Sequence, residues 1–189
     1  MSGPFYHIRS VGKSKGADMK RLLLLDTKDY TAEMPVYEKH SVRAIIIRNG
    51  QVAMQQSSAG VFKILGGVVE DGESHAETIA REVEEEGGLI VKQETIREIG
   101  YIEERRRDVF DTAKTYICYT YFYSCEAEDY EVSLKLTASE VARGYHLVWA
   151  TPEHIVETNT ALLKDAWKMR DTEFIKMLAE GKLDDQQSV

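Results

Sequence analysis

The residues best suited to chemistry are three glutamates in the stretch HAETIAREVEEEGGL. Glu82, Glu85 and Glu86 stand at i, i+3 and i+4, so on a helix their carboxylates share one face. Ser74 followed by Glu77 forms a capping box, which sets the helix start near His75. Ala76, Ile79, Ala80 and Val83 make an apolar stripe that must face a core, and Gly87 and Gly88 end the helix. The acidic face lies beside that stripe, which brings the carboxylates close to the protein body. On a solvated helix each like-charge pair costs only about 0.2–0.5 kcal/mol. Against a protein surface, two such charges roughly 4–5 Å apart repel by about 3–4 kcal/mol at an effective dielectric of 20. A cation relieves that repulsion. Oxygen-only carboxylate ligands with room for water suit Mg2+ or Mn2+. Arg81, four residues from both Glu77 and Glu85, is within ion-pair reach of each. On spacing alone, a solvated acidic face and a divalent-cation site both satisfy the pattern.

The flanking segments read as the frame for that helix. RLLLLD is a short strand, and VRAIIIRNGQVAMQQS is a hairpin turning at Asn49-Gly50, where a tight type I′ turn needs positive φ. VFKIL is a strand entering the Gly66-Gly67 loop, and LIVKQETIREIGYIEE supplies one or two more. RRRDVFDTAK reads as an exposed loop, TYICYTYFYSCEAE as a long strand and YHLVWA as another. Thr151-Pro152 opens a helix. The segment ALLKDAWKMRDTEFIKMLAEG continues helically, with Leu163, Ala166, Trp167, Phe174, Met177 and Leu178 as its apolar side. That side serves either the chain's own sheet or a homodimer. Residues 1–20 read as a loose leader. There is no regular β-α alternation, so the expected class is α/β of the α+β type, a mixed sheet sandwiched between helices.

The 189 residues, 43% hydrophobic, suit one domain with a real core. A net charge of −8 argues against non-specific nucleic-acid binding but not against phosphate-bearing substrates, because a bound cation can supply positive charge. Two cysteines, Cys118 and Cys125, are too few for a disulfide scaffold and read as half-buried small apolar residues. No apolar run reaches membrane-spanning length and the N-terminus lacks a secretory layout, so a soluble cytoplasmic protein is expected.

The stretch resembles the signature of the Nudix hydrolase family. Gly67 is followed by Glu73, then Arg81-Glu82-Val83-Glu84-Glu85-Glu86-Gly87-Gly88-Leu89, and every specified position of the family pattern is filled at its spacing. The likeness extends over about residues 40–157, with 1–39 as a leader carrying a short strand and 158–189 as a C-terminal helix. It departs at Leu65, where the family often has proline. The resemblance implies an α-β-α sandwich. It implies Mg2+ or Mn2+ held by Glu82, Glu85 and Glu86, helped by a carbonyl of the Gly66-Gly67 loop, with Gly67 the named position. Arg81 would orient the glutamates, and Glu73 would brace the loop or Arg81. The implied reaction is hydrolysis of a phosphoanhydride in a nucleoside diphosphate linked to another group, such as a nucleoside triphosphate or an ADP-ribose-type sugar nucleotide. A small-molecule nucleotide is thus the implied partner.

Family members commonly recruit a late glutamate as extra ligand or general base. Glu140 is the candidate here, and a surface glutamate opening a helical turn is the plain alternative; Glu85 or Glu86 could serve as base instead. Arg105 and Arg107, with Arg106 and Phe110 beside them, are candidates to grip substrate, or form a solvated basic loop. Tyr116, Tyr119, Tyr121 and Tyr123 either stack a nucleobase or pack the sheet. Two other functions compete. A non-catalytic nucleotide sensor of this fold would be expected to have lost box glutamates, and this chain keeps them. An isopentenyl-diphosphate isomerase would need a catalytic cysteine, and neither cysteine sits in a matching motif.

Overall fold

A computed structural model describes residues 19–183, so residues 1–18 of the expected 1–39 leader lie outside the described residues. The strands are β1 (Arg21–Asp26), β2 (Val36–Ile45), β3 (Ile47–Arg48), β4 (Gln51–Gln56), β5 (Phe62–Ile64), β6 (Leu89–Val91), β7 (Arg97–Arg107), β8 (Thr115–Ser124), β9 (Ala127–Glu131) and β10 (His146–Ala150). The helices are α1 (His75–Gly87), α2 (Ala138–Ala142), α3 (Pro152–Leu162) and α4 (Arg170–Ala179). A mixed sheet runs β1-β7-β8-β2, with β1 parallel to β7 and β2 parallel to β8. A second sheet pairs β4 with β10, β3 and β5. β6 and β9 form a small ribbon.

Side chains alternate across the main sheet, and each face buries its own core. One face carries Val42, Ala44, Tyr121 and Tyr123 against Ile79 and Val83 of α1. The other carries Ile45, Ile102 and Phe122 against Ile155 of α3 and Phe174 and Ile175 of α4. The fold is therefore the expected α-β-α sandwich. Among the described residues no helix is long and apolar enough to cross a membrane.

The turn at Asn49-Gly50 has the expected form, with φ of 52° and 75° and Arg48 paired to Gln51. The hairpin's first arm is shorter than expected. Only Ile47–Arg48 pairs with β4 as a strand, because Val36–Ile45 form β2 and run beside β8 in the other sheet. The loop expected at RRRDVFDTAK is shorter too: Arg105, Arg106 and Arg107 are the last residues of β7, paired with Ile117, Tyr116 and Thr115. The C-terminal segment is not one continuous helix. α3 closes at Leu163 and a 3-10 turn (Ala166–Lys168) precedes α4. Phe174, Met177 and Leu178 pack on the chain's own core, while Trp167 stays partly exposed.

Candidate active site

α1 forms as its local sequence dictates. Ser74 Oγ accepts from the Glu77 N–H and Glu77 accepts from the Ser74 N–H at 2.8 Å, closing the capping box. Gly88 ends the helix at φ 63°, its N–H bonded to the Glu84 carbonyl. The buried face is rotated from the expected stripe. Ile79 and Val83 are fully buried, but so are Thr78 and Glu86, while Ala76 and Ala80 are only partly covered. This rotation draws the acidic face inward.

The Gly66-Gly67 loop lies against that face. A Cβ built on Gly67 would stand 2.1 Å from Glu82 Oε1, so the carboxylate occupies the space that glycine leaves open. Glu86 is buried, accepts the Gly66 N–H at 2.8 Å and pairs with Lys63. Burial raises its pKa, and Lys63, the Gly66 N–H and Arg43 offset this only in part. Arg81 donates to Glu73 at 2.7 and 2.8 Å, to Glu82 at 2.8 Å and to Glu85 at 3.4 Å. Glu77 is not among its partners. The Arg81 guanidinium is the main reason the Glu73 carboxyl is held at about 2, with Thr78 and the Glu70 N–H adding to it.

Among the described residues no three His, Cys, Asp or Glu side chains converge in metal-ligand geometry. The chain's own cations explain the spread, since Arg81 draws Glu82 and Glu85 while Lys63 draws Glu86. The donor set still fits a hard divalent cation. Two carboxylates, Glu82 and Glu86, meet the Gly66-Gly67 loop, and Glu85 shares Arg81 with Glu82, so three carboxylate oxygen donors lie on one side of α1. The carbonyls of Gly66 and Gly67 already accept from Arg43 and from the Val42 N–H, each keeping a second lone pair.

Glu140 caps α2, accepting the Thr137 N–H and hydroxyl at 2.8 Å each. It also lies within hydrogen-bonding reach of Glu86. Burial pushes its pKa up, but Thr137, Glu86 and Lys63 together hold it below the usual value.

The expected substrate-gripping residues are engaged elsewhere. Arg105 pairs with Glu103, and Arg107 Nε donates to the Asp29 carbonyl at 2.8 Å. Phe110 is 94% exposed at the tip of the 108–114 turn. Tyr119, Tyr121 and Tyr123 cluster with His40 and His75 on the α1 side of the sheet. Tyr116 points to the opposite face.

That face holds a feature that sequence reasoning missed, a cleft of about 190 Å³ directly beside Gly66 and Gly67. Four cations line it, namely Lys39, Arg43, Lys63 and Arg170, together with Ser41, Tyr116 and Cys118. They come from β2, β5, β8 and α4, so no local motif announces them. Alternation along β2 does place Lys39, Ser41 and Arg43 on one side of their strand, the single signal available in the sequence.

These elements and this acidic loop define a known class. The NUDIX domain model matches residues 38–175, well over half of the chain, and the protein belongs to that family. The solution structure of the E. coli ORF135 protein superposes with a TM-score of 0.55 at 19% identity, covering 84% of this chain and 99% of that one. A NUDIX hydrolase from Nitrosomonas europaea superposes at 0.56 with 20% identity, covering 81% and 98%. At these identities the likeness is one of fold. No curated protein matches the chain.

Proposed function

We propose that the protein is a divalent-metal-dependent pyrophosphohydrolase that cleaves the phosphoanhydride of a nucleoside diphosphate linked to another group. The observation that carries this reading is Glu82 filling the space at Gly67 and Glu86 bonded to the Gly66 N–H, with Arg81, braced by Glu73, holding Glu82 and Glu85. Glu82, Glu85 and Glu86 would hold Mg2+ or Mn2+. The bound ion would neutralise the diphosphate and make a water acidic enough to attack. Arg81, fixed on Glu73, bonds both Glu82 and Glu85 and would orient them toward the ion. Water's oxygen bonds to phosphorus, the anhydride P–O bond breaks, and the departing phosphate oxygen keeps the electron pair. Two carboxylates are open to the water's proton. The Glu85 side chain is 38% exposed and, among the described residues, its carboxylate holds one contact, with Arg81 at 3.4 Å. Glu140 has its pKa held below the usual carboxylate value, which favours the form able to accept a proton.

The test is a hydrolysis screen with Mg2+ and Mn2+ across nucleoside triphosphates, dinucleoside polyphosphates, sugar nucleotides and NADH. Metal-dependent release of a nucleoside monophosphate is expected. Glu85→Gln and Glu86→Gln should each lower turnover by about 10²-fold or more with the fold retained. Glu140→Gln should flatten the acid limb of the pH–rate profile if Glu140 accepts the proton. Near-normal rates in both box variants would overturn the reading, and no product from any substrate would favour a nucleotide sensor.

A further inference from the structure

The cationic cleft has a job that the acidic loop does not explain. Its lining contains no Asp or Glu, in a chain whose net charge is −8. Three of its four cations are already matched. Arg43 Nε and Arg170 both bond Asp171, at 3.2 and 3.0 Å, and Lys63 pairs with Glu86. Lys39 has no carboxylate within ion-pair distance among the described residues, and it faces Cys118 across the sheet. Burial lowers its pKa; Cys118 opposes this, while Arg170, Arg43 and Lys63 add to it. An unpaired ammonium among three other cations marks a place for an external anion. The hydroxyls of Ser41 and Tyr116 add neutral donors to the same cleft. At about 190 Å³ the cleft is smaller than the ~300–1,000 Å³ usual for organic-ligand pockets. That size suits a phosphate better than a nucleoside.

Position makes the anion part of the substrate. Gly66 and Gly67 wall the cleft on one side and meet Glu86 and Glu82 on the other. Resting on the pyrophosphohydrolase reading, we propose that the cleft seats a phosphate beyond the diphosphate engaged at the glutamates, with Lys39 as the residue that reads it. The preferred substrates then carry three or more linked phosphates, and a two-phosphate sugar nucleotide leaves Lys39 unsatisfied. Arg43 and Arg170 are positioning residues as well as charges, since Asp171 fixes both guanidiniums at the rim.

Two measurements on the full chain test this. The first is calorimetric titration of inorganic tripolyphosphate in EDTA, for wild type, Lys39→Ala and Lys39→Arg. Wild type should bind, Lys39→Ala should weaken binding about tenfold, as for loss of one charge-assisted hydrogen bond, and Lys39→Arg should recover most of it. The second is the ratio of kcat/KM for ATP to that for ADP-ribose with Mg2+. Wild type should favour ATP, and Lys39→Ala should lower the ratio about tenfold, mostly through the KM for ATP. Binding and ratio within twofold of wild type in Lys39→Ala would overturn the cleft assignment. So would a wild type that prefers ADP-ribose, which leaves metal-dependent cleavage intact. Lys39-dependent tripolyphosphate binding by a chain that hydrolyses nothing would support the cleft and defeat the hydrolase reading.

Discussion

At the scale of single residues, the site rests on one guanidinium and one missing Cβ. Arg81 and Glu73 hold each other, and the depressed Glu73 pKa has a thermodynamic consequence. A carboxyl with a folded-state pKa of about 2 and an ordinary value of 4.5 contributes stability that is fully present above pH 4.5. That contribution is lost as pH falls through about 2. Thermal unfolding followed between pH 6 and 2.5 should therefore show a drop that Glu73→Gln makes smaller, with the variant about 1–3 kcal/mol less stable at neutral pH. An identical pH profile in the two proteins would count against the brace. Gly67→Ala acts differently. Its Cβ would strike Glu82 Oε1 at 2.1 Å, at the flexible end of a long side chain. The carboxylate should swing away, leaving the melting temperature nearly unchanged while turnover falls about 10²-fold. A large stability loss with activity per folded molecule preserved would show that the glycine serves only the turn.

At the scale of elements, α1 is where sequence and structure agree most closely. The capping box, the glycine stop and the acidic spacing are contacts between residues three or four apart, which a one-dimensional pattern records directly. Gly88 illustrates this. It sits at φ 63° and a Cβ there would meet the Val132 carbonyl at 2.4 Å, so Gly88→Ala should cost about 1–3 kcal/mol in denaturant unfolding. A cost below about 0.5 kcal/mol would mean that the helix end can rearrange. The same locality made the Asn49-Gly50 turn legible. β2 crossing into the other sheet was not, because its partner β8 lies some eighty residues away and pairing at that distance leaves no periodic trace. Arg105–Arg107 looked like a loop because three cations in a row read as solvated. In the structure Glu103, Glu104 and Asp29 engage them, two from the same strand and one from beyond β1.

At the scale of the whole molecule, the two cores give the site its two walls. α1 brings the glutamates to the Gly66-Gly67 loop from one side, and α4 brings Asp171 and Arg170 to the cleft from the other. The acidic wall was written in one contiguous stretch. The basic wall was illegible because Lys39, Lys63 and Arg170 meet only after folding. α4 is docked through Phe174, whose ring stacks on Phe122 at 3.9 Å between centroids, with both side chains fully buried. Phe174→Ala should cost about 3–5 kcal/mol and loosen the cleft along with the fold, read as weaker tripolyphosphate binding below the melting transition. Unaltered binding in that variant would separate the cleft from helix docking. The central claim, that the box glutamates hold a divalent cation, is most directly tested by electron paramagnetic resonance of Mn2+ titrated into the full chain. Wild type should bind Mn2+ at the glutamate loop, and the double variant Glu82→Gln, Glu86→Gln should lose that binding while staying folded. Equal Mn2+ binding by the two proteins would contradict it.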